Sequence, residues 1–103
     1  MTTKKVLKGA IAFLKKGWTK GTWARNAAGR RCSPTSKHAI AWCAEGATIA
    51  ASAGDDVAQF HAWSAFHDAV GIDAYDNAAK WNDEQESVKP VIAAMKRALR
   101  KRP

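Results

Sequence analysis

Alanine supplies more of the apolar side chains in this sequence than any other residue, and five tryptophans are the bulk left to fill what alanine leaves open. A core made this way is thin helix-on-helix packing with indoles in the gaps. At 103 residues the chain is one domain, residues 1–103, and its 47% hydrophobic content excludes a disordered segment. It is long enough to fold without disulfide or metal staples.

Periodicity and punctuation then place the helices. Thr2 or Thr3 opens a first helix to about Lys16, with Val6, Leu7, Ala10, Ile11, Phe13 and Leu14 on its stripe. Lys15-Lys16-Gly17 stops it: cations at the negative end of the dipole, then a glycine free to turn left-handed. Ser33-Pro34-Thr35-Ser36 caps a second helix over roughly 36–52, striped by Ile40, Cys43 and Ala47 with Trp42 beside them. Gly46 lies in its middle, where it costs about 1 kcal/mol relative to Ala. With Ala44, Ala47, Ala50 and Ala51 it forms a small-residue surface for close packing. Asp55 or Asp56 caps a third helix to Val70, with Val57, Phe60, Trp63, Phe66 and Val70 as its stripe and Gly71 as its stop. Residues 72–86, with Ile72, Tyr75 and Trp81, hold one short helical turn. Ser87 caps a last helix whose inward side is Val88, Val91, Ile92, Met95 and Leu99 and whose end is loaded with Lys96, Arg97, Arg100, Lys101 and Arg102. The expected fold is all-α: a single compact bundle of about four helices plus a short helical turn.

Between the first two helices the stripe stops. Residues 17–34 form a long basic loop or a small hairpin, in which Thr22–Arg25 and Arg30–Ser33 flank the turn Asn26-Ala27-Ala28-Gly29. A connection longer than about 12–15 residues is uncommon in a compact domain and is often functional. Lys20, Arg25, Arg30 and Arg31 sit here with no acid near them in sequence, so they form an exposed basic patch or meet acids from the middle of the chain. Trp18 and Trp23 read mainly as plugs that hold the loop on the core, although an indole among cations also suits a binding surface.

The charge is segregated. Residues 1–37 carry +10, residues 38–88 carry −8 and residues 89–103 carry +6. Asymmetry on this scale points to a macromolecular partner or to pairing between faces of the same molecule. No apolar run approaches the roughly 18 residues of a membrane span, and Met1–Lys16 lacks a cleavage site, so a cytoplasmic location is expected.

Four pieces of sequence stand in this order: Gly17-Trp18-x-x-Gly21 with Ala24-Arg25, Gly29-Arg30, Ala41-Trp42-Cys43-Ala44-x-Gly46-Ala47, and Trp81-Asn82-Asp83. Together they resemble a family of small uncharacterised proteins of bacteria and their phages, known only as a domain of unknown function, over about residues 5–99. The resemblance implies a compact helical domain, no assigned enzyme activity and carriage by phage or prophage. It also implies an acid in the first turn of the last helix, where this chain has Pro90, so that Ser87 caps alone. Trp81-Asn82-Asp83 takes a structural role in this reading, with side-chain oxygens accepting free helix amides and the indole anchoring the approach.

Catalytic constellations are missing from the sequence. His61 and His67 lie about 240° apart around one helix, and there is no HExxH motif, no clustered Ser, His and Asp, and no phosphate-binding loop. A metal site from Cys32, His38 and Cys43 has a spacing that matches no common zinc pattern, so free thiols and no cofactor are expected. The expected function is a small non-enzymatic protein that docks on a host or defence protein through its basic loop (Lys20, Trp23, Arg25, Arg30, Arg31) and an acidic belt. The alternative is direct nucleic-acid binding through residues 15–37 and the C-terminal helix (Lys96, Arg97, Arg100, Lys101). Trp18, Trp42, Gly46, Trp81, Asn82 and Asp83 are assigned to structure. Nothing points to a membrane, and the oligomeric state is open.

Overall fold

The computed structural model of the chain describes residues 1–72 and 77–101; Tyr75 and Arg102, named above, lie outside the described residues. Along the chain come helix α1 (Thr3–Lys16), strands β1 (Ala24–Asn26) and β2 (Ala39–Trp42), and helices α2 (Ala44–Ser52), α3 (Asp56–Val70), α4 (Ala78–Asp83) and α5 (Lys89–Arg100). The all-α expectation is overturned. A mostly helical chain carries a two-stranded antiparallel sheet between its first two helices.

The error lies in residues 36–43, read above as the start of the second helix. Ala39–Trp42 is instead extended, with Trp42 opposite Ala24, Ala41 opposite Arg25 and Ala39 opposite Asn26. On the other side of β2 the Trp42 amide donates to the Gly17 carbonyl at 3.0 Å, and the Thr19 amide donates to the Trp42 carbonyl at 3.1 Å. Trp42 thus has its backbone groups committed to tertiary partners, and a helix there would leave them unpaired. Helix α2 begins only at Ala44, capped by the Cys43 thiol, whose sulfur accepts from the Gly46 amide at 3.3 Å. Gly46 therefore stands in the first turn rather than mid-helix.

Helix α1 buries Val6, Leu7, Ala10, Ile11 and Leu14, as its stripe requires, and Thr2 caps it by accepting from the Lys5 amide. Its terminal Gly17 is extended (φ −176°) instead of left-handed. The residue must still be glycine, because a Cβ there would run into the Ile40 carbonyl of β2. The small-residue surface of α2 receives α1: a Cβ on Gly9 would lie 2.9 Å from that of Ala51.

Helix α3 keeps the C-terminal half of its expected stripe, with Phe66 buried and Trp63 and Val70 packed on the core, but not the N-terminal half. Ala58, Ala62, Ala65 and Phe66 are buried, whereas Val57 and Phe60 are each 67% exposed. The alanines recur at helical spacing and let α3 close on α1, α2 and α5. Its C-terminal half keeps the aromatic packing, with Phe66 stacked on Trp63 at 5.4 Å and edge-on to Trp81 at 5.9 Å. His67 ties α3 to α4: its Nε2 accepts from the Ala78 amide at 3.3 Å, which leaves Nδ1 to donate to the Trp63 carbonyl. Helix α5 is not capped by Ser87. Its N-cap is Val88, with no side-chain cap bond, and Pro90 in the first turn removes one amide that would otherwise need a partner.

Candidate binding surface: a latched loop and a cationic face

The loop after α1 is built from its own side chains outward. Asn26 makes the turn: its Oδ1 accepts from the amides of Ala28 and Arg30, and the Asn26 amide donates to the Arg30 carbonyl at 2.9 Å. Gly29 supplies the positive φ (+76°) that this tight reversal needs. Arg25, read above as a binding cation, is used as a brace. Its guanidinium donates to Thr19 Oγ1 at 2.9 Å, to the Gly29 carbonyl at 3.1 Å and to the Lys20 carbonyl at 3.2 Å. The hairpin alternative comes close, since Arg25 bridges Arg31 in antiparallel fashion and the Cys32 amide donates to the Ala24 carbonyl.

A latch from the far end of the chain fixes this loop in place. Asn82 is completely buried, and its Oδ1 accepts from Trp18 Nε1 at 2.8 Å and from the Ala44 amide, the first of α2, at 3.1 Å. Its Nδ2 donates to the Thr19 carbonyl at 3.3 Å and to Asp83 Oδ1 at 3.1 Å. Asp83 in turn accepts from the Gly21 amide at 2.9 Å. The expected capping role of Trp81-Asn82-Asp83 thus falls on α2 and on the loop, while α5, the helix that follows, has no side-chain cap bond. Gly46 completes the clamp, because any Cβ there would collide with the Trp23 carbonyl that crosses α2 at this point.

Of the loop residues assigned above to binding, Lys20, Trp23, Arg30 and Arg31 face outward. Trp18 is partly buried against the core, as expected of a plug. Trp23 is different: it is 50% exposed, and its indole N–H donates to Glu45 Oε1 at 2.7 Å. The loop therefore presents an oriented indole with cations and, at its rim, the carboxylates of Glu45 and Asp83.

A second surface lies on α1 and α5, which pack directly on each other. The solvent side of α1 carries Lys4, Lys5, Lys8, Lys15 and Lys16, and that of α5 carries Lys89, Lys96, Arg97 and Arg100, with Lys101 just beyond its end. Neither helix contains an acid. Among the described residues the ion pair formed is that of the N-terminal ammonium with Asp55 at 3.1 Å, so none of these cations is neutralised by a described carboxylate. Lys15, Lys16 and Arg100 sit where the helix dipole favours them. Lys4, Lys5 and Lys89 occupy first turns, where the dipole opposes a cation by about 0.3–1 kcal/mol each. The sequence reading assigned Lys96, Arg97, Arg100 and Lys101 to binding and, in the nucleic-acid alternative, residues 15–37, which take in Lys15 and Lys16; Lys4, Lys5, Lys8 and Lys89 were not assigned. The signal for the α1 half was legible all the same, as lysines in a first turn with no acid in residues 1–37.

Among the described residues no group of three or more His, Cys, Asp and Glu is placed to hold a metal ion, and Cys32 and Cys43 are free thiols. Burial pushes the Cys43 thiol above its ordinary range, with amide hydrogen bonds opposing and the Glu45 and Asp83 carboxylates adding to the rise. It is a cap held protonated, the reverse of an activated nucleophile. No helix among the described residues is long and apolar enough to cross a membrane.

No curated protein and no solved structure matches this chain. A family profile does, from residue 1 to residue 101, and that span takes in α1, the latched loop, Asn82 with Asp83 and α5. The loop and the cationic face are thus features of a chain that belongs to a family of unknown function (DUF6197).

Proposed function

We propose that this is a small non-enzymatic protein, of phage or bacterial origin, that docks on a host or defence protein through the latched loop. The observation that carries the reading is Trp23. A half-exposed indole held by a 2.7 Å hydrogen bond, on a backbone clamped over Gly46, loses little freedom when a partner covers it. Tryptophan and arginine are the residues in which protein interfaces concentrate their binding energy, and Arg30 and Arg31 stand exposed on the same loop. Glu45 and Asp83 at the rim make the surface two-signed, which suits a protein and repels a phosphate backbone.

The test is a pull-down from bacterial extract with the wild-type chain and a Trp23→Ala/Arg30→Ala/Arg31→Ala variant, with and without nuclease. A protein retained by wild type after nuclease treatment and lost with the variant supports the reading. Equal capture by both, or capture that disappears with nuclease, overturns it.

A further inference from the structure

We propose that the paired faces of α1 and α5 form a second binding surface, separate from the loop, that holds the phosphate backbone of duplex nucleic acid without reading its sequence. Local helix rules account for the cations at the C-terminal ends. They do not account for Lys4, Lys5 and Lys89, which stand in first turns against the dipole, nor for Lys8 farther along α1, and none of the four forms an ion pair with a described carboxylate. Residues that break a local stability rule without a compensating contact are where function is expected.

The chemistry of the face selects its partner. Besides cations, its fully exposed positions are Ala12 on α1 and Pro90 and Ala93 on α5, and its aromatic ring, Phe13, is half-buried against Trp42 with Lys16 over it. Protein interfaces are depleted in lysine and need an apolar centre, which is missing here. A single strand is gripped by stacking its bases on open aromatic faces, whereas Phe13 is packed against Trp42 and overlaid by Lys16. An anionic bilayer is held firmly only when apolar groups insert beside the charges, but the apolar sides of α1 and α5 are consumed by the core. A duplex needs only charge: it carries one negative charge per about 1.7 Å of axis, and lysine ammonium groups match phosphates as point charges. Two adjacent helices about 20 Å long give a face wide enough to meet both strands.

The experiment is fluorescence anisotropy of a labelled 24-base-pair DNA duplex titrated with the intact protein between 50 and 200 mM salt. Two unrelated sequences are expected to bind equally, with log affinity falling against log salt at a slope of about −5 if six phosphates are neutralised. Lys4→Gln/Lys8→Gln/Lys15→Gln and Lys89→Gln/Lys96→Gln/Arg100→Gln are each expected to weaken binding at least tenfold and to flatten the slope by about 2 to 3, with circular dichroism and Tm showing an intact fold. The Trp23→Ala/Arg30→Ala/Arg31→Ala variant is expected to lose less than threefold. Four results would overturn the proposal: no binding at 50 mM salt, which would make the face merely solvated; preference for a single strand; loss confined to the loop variant; or binding to anionic vesicles in place of the duplex. The loop proposal stands or falls separately, because its readout is a nuclease-resistant protein.

Discussion

Asn82 shows how much one side chain can organise. Its amide satisfies four partners at once: an indole, a helix-starting backbone amide, a loop carbonyl and a neighbouring carboxylate. A buried polar group connected this completely stabilises the fold, but the same network is costly when broken, since each orphaned partner loses about 1–3 kcal/mol. Asn82→Ala is expected to destabilise the protein by about 2–4 kcal/mol in urea unfolding and to free the Trp18 indole. A loss below about 1 kcal/mol would show that the latch is dispensable. The sequence could say that Trp81-Asn82-Asp83 was structural. It could not say what it holds, because Trp18 lies 64 residues from Asn82 and nothing local records the pairing.

At the scale of elements, α3 carries the clearest lesson. Val57 and Phe60 satisfy a helical period as well as any core pair, yet alanines win the interior because a helix lined with them can approach three neighbours closely. Replacing both Val57 and Phe60 by glutamine is therefore expected to change stability by less than about 0.5 kcal/mol. Ala62→Leu, which adds bulk where there is no room, is expected to cost about 1–3 kcal/mol. Equal sensitivity at the two faces in chemical denaturation would refute this assignment. Helices α1 and α5 were readable because their large apolar residues and lysines segregate cleanly. Strand β2 was not, since Ile40, Cys43 and Ala47 also fit a helical stripe and the residues that hold Ala39–Trp42 extended come from positions 17–26, distant in sequence. Gly17 and Gly46 were placed in the right neighbourhoods, but the carbonyls that exclude their side chains belong to other segments.

For the whole molecule, the decisive property is net charge. A chain of formal charge +8 whose described ion pair involves only its N-terminal ammonium and Asp55 carries net self-repulsion in the folded state. Raising salt from 0.01 M to 0.15 M shortens the Debye length from about 30 Å to about 8 Å, so the fold is expected to gain about 1 kcal/mol, or about 5 °C in Tm. A Tm that falls with salt would mean that internal attraction outweighs repulsion. Lys4→Glu should mimic the effect at low salt, raising stability by about 0.5–1 kcal/mol through the dipole alone. Such a gain from one surface exchange would mark the lysine as retained for something other than folding.

The latch has a kinetic consequence as well. The loop precedes α2, but the groups that close it arrive with Asn82 and Asp83, 64 and 62 residues after the Trp18 and Gly21 they hold. Contacts of such sequence separation form only after the intervening chain has collapsed. During synthesis, then, α1 can assemble early while the loop stays unlatched until Asn82 and Asp83 have been made. The surface proposed to meet a partner is therefore not fixed until Asn82 and Asp83 have closed on the loop.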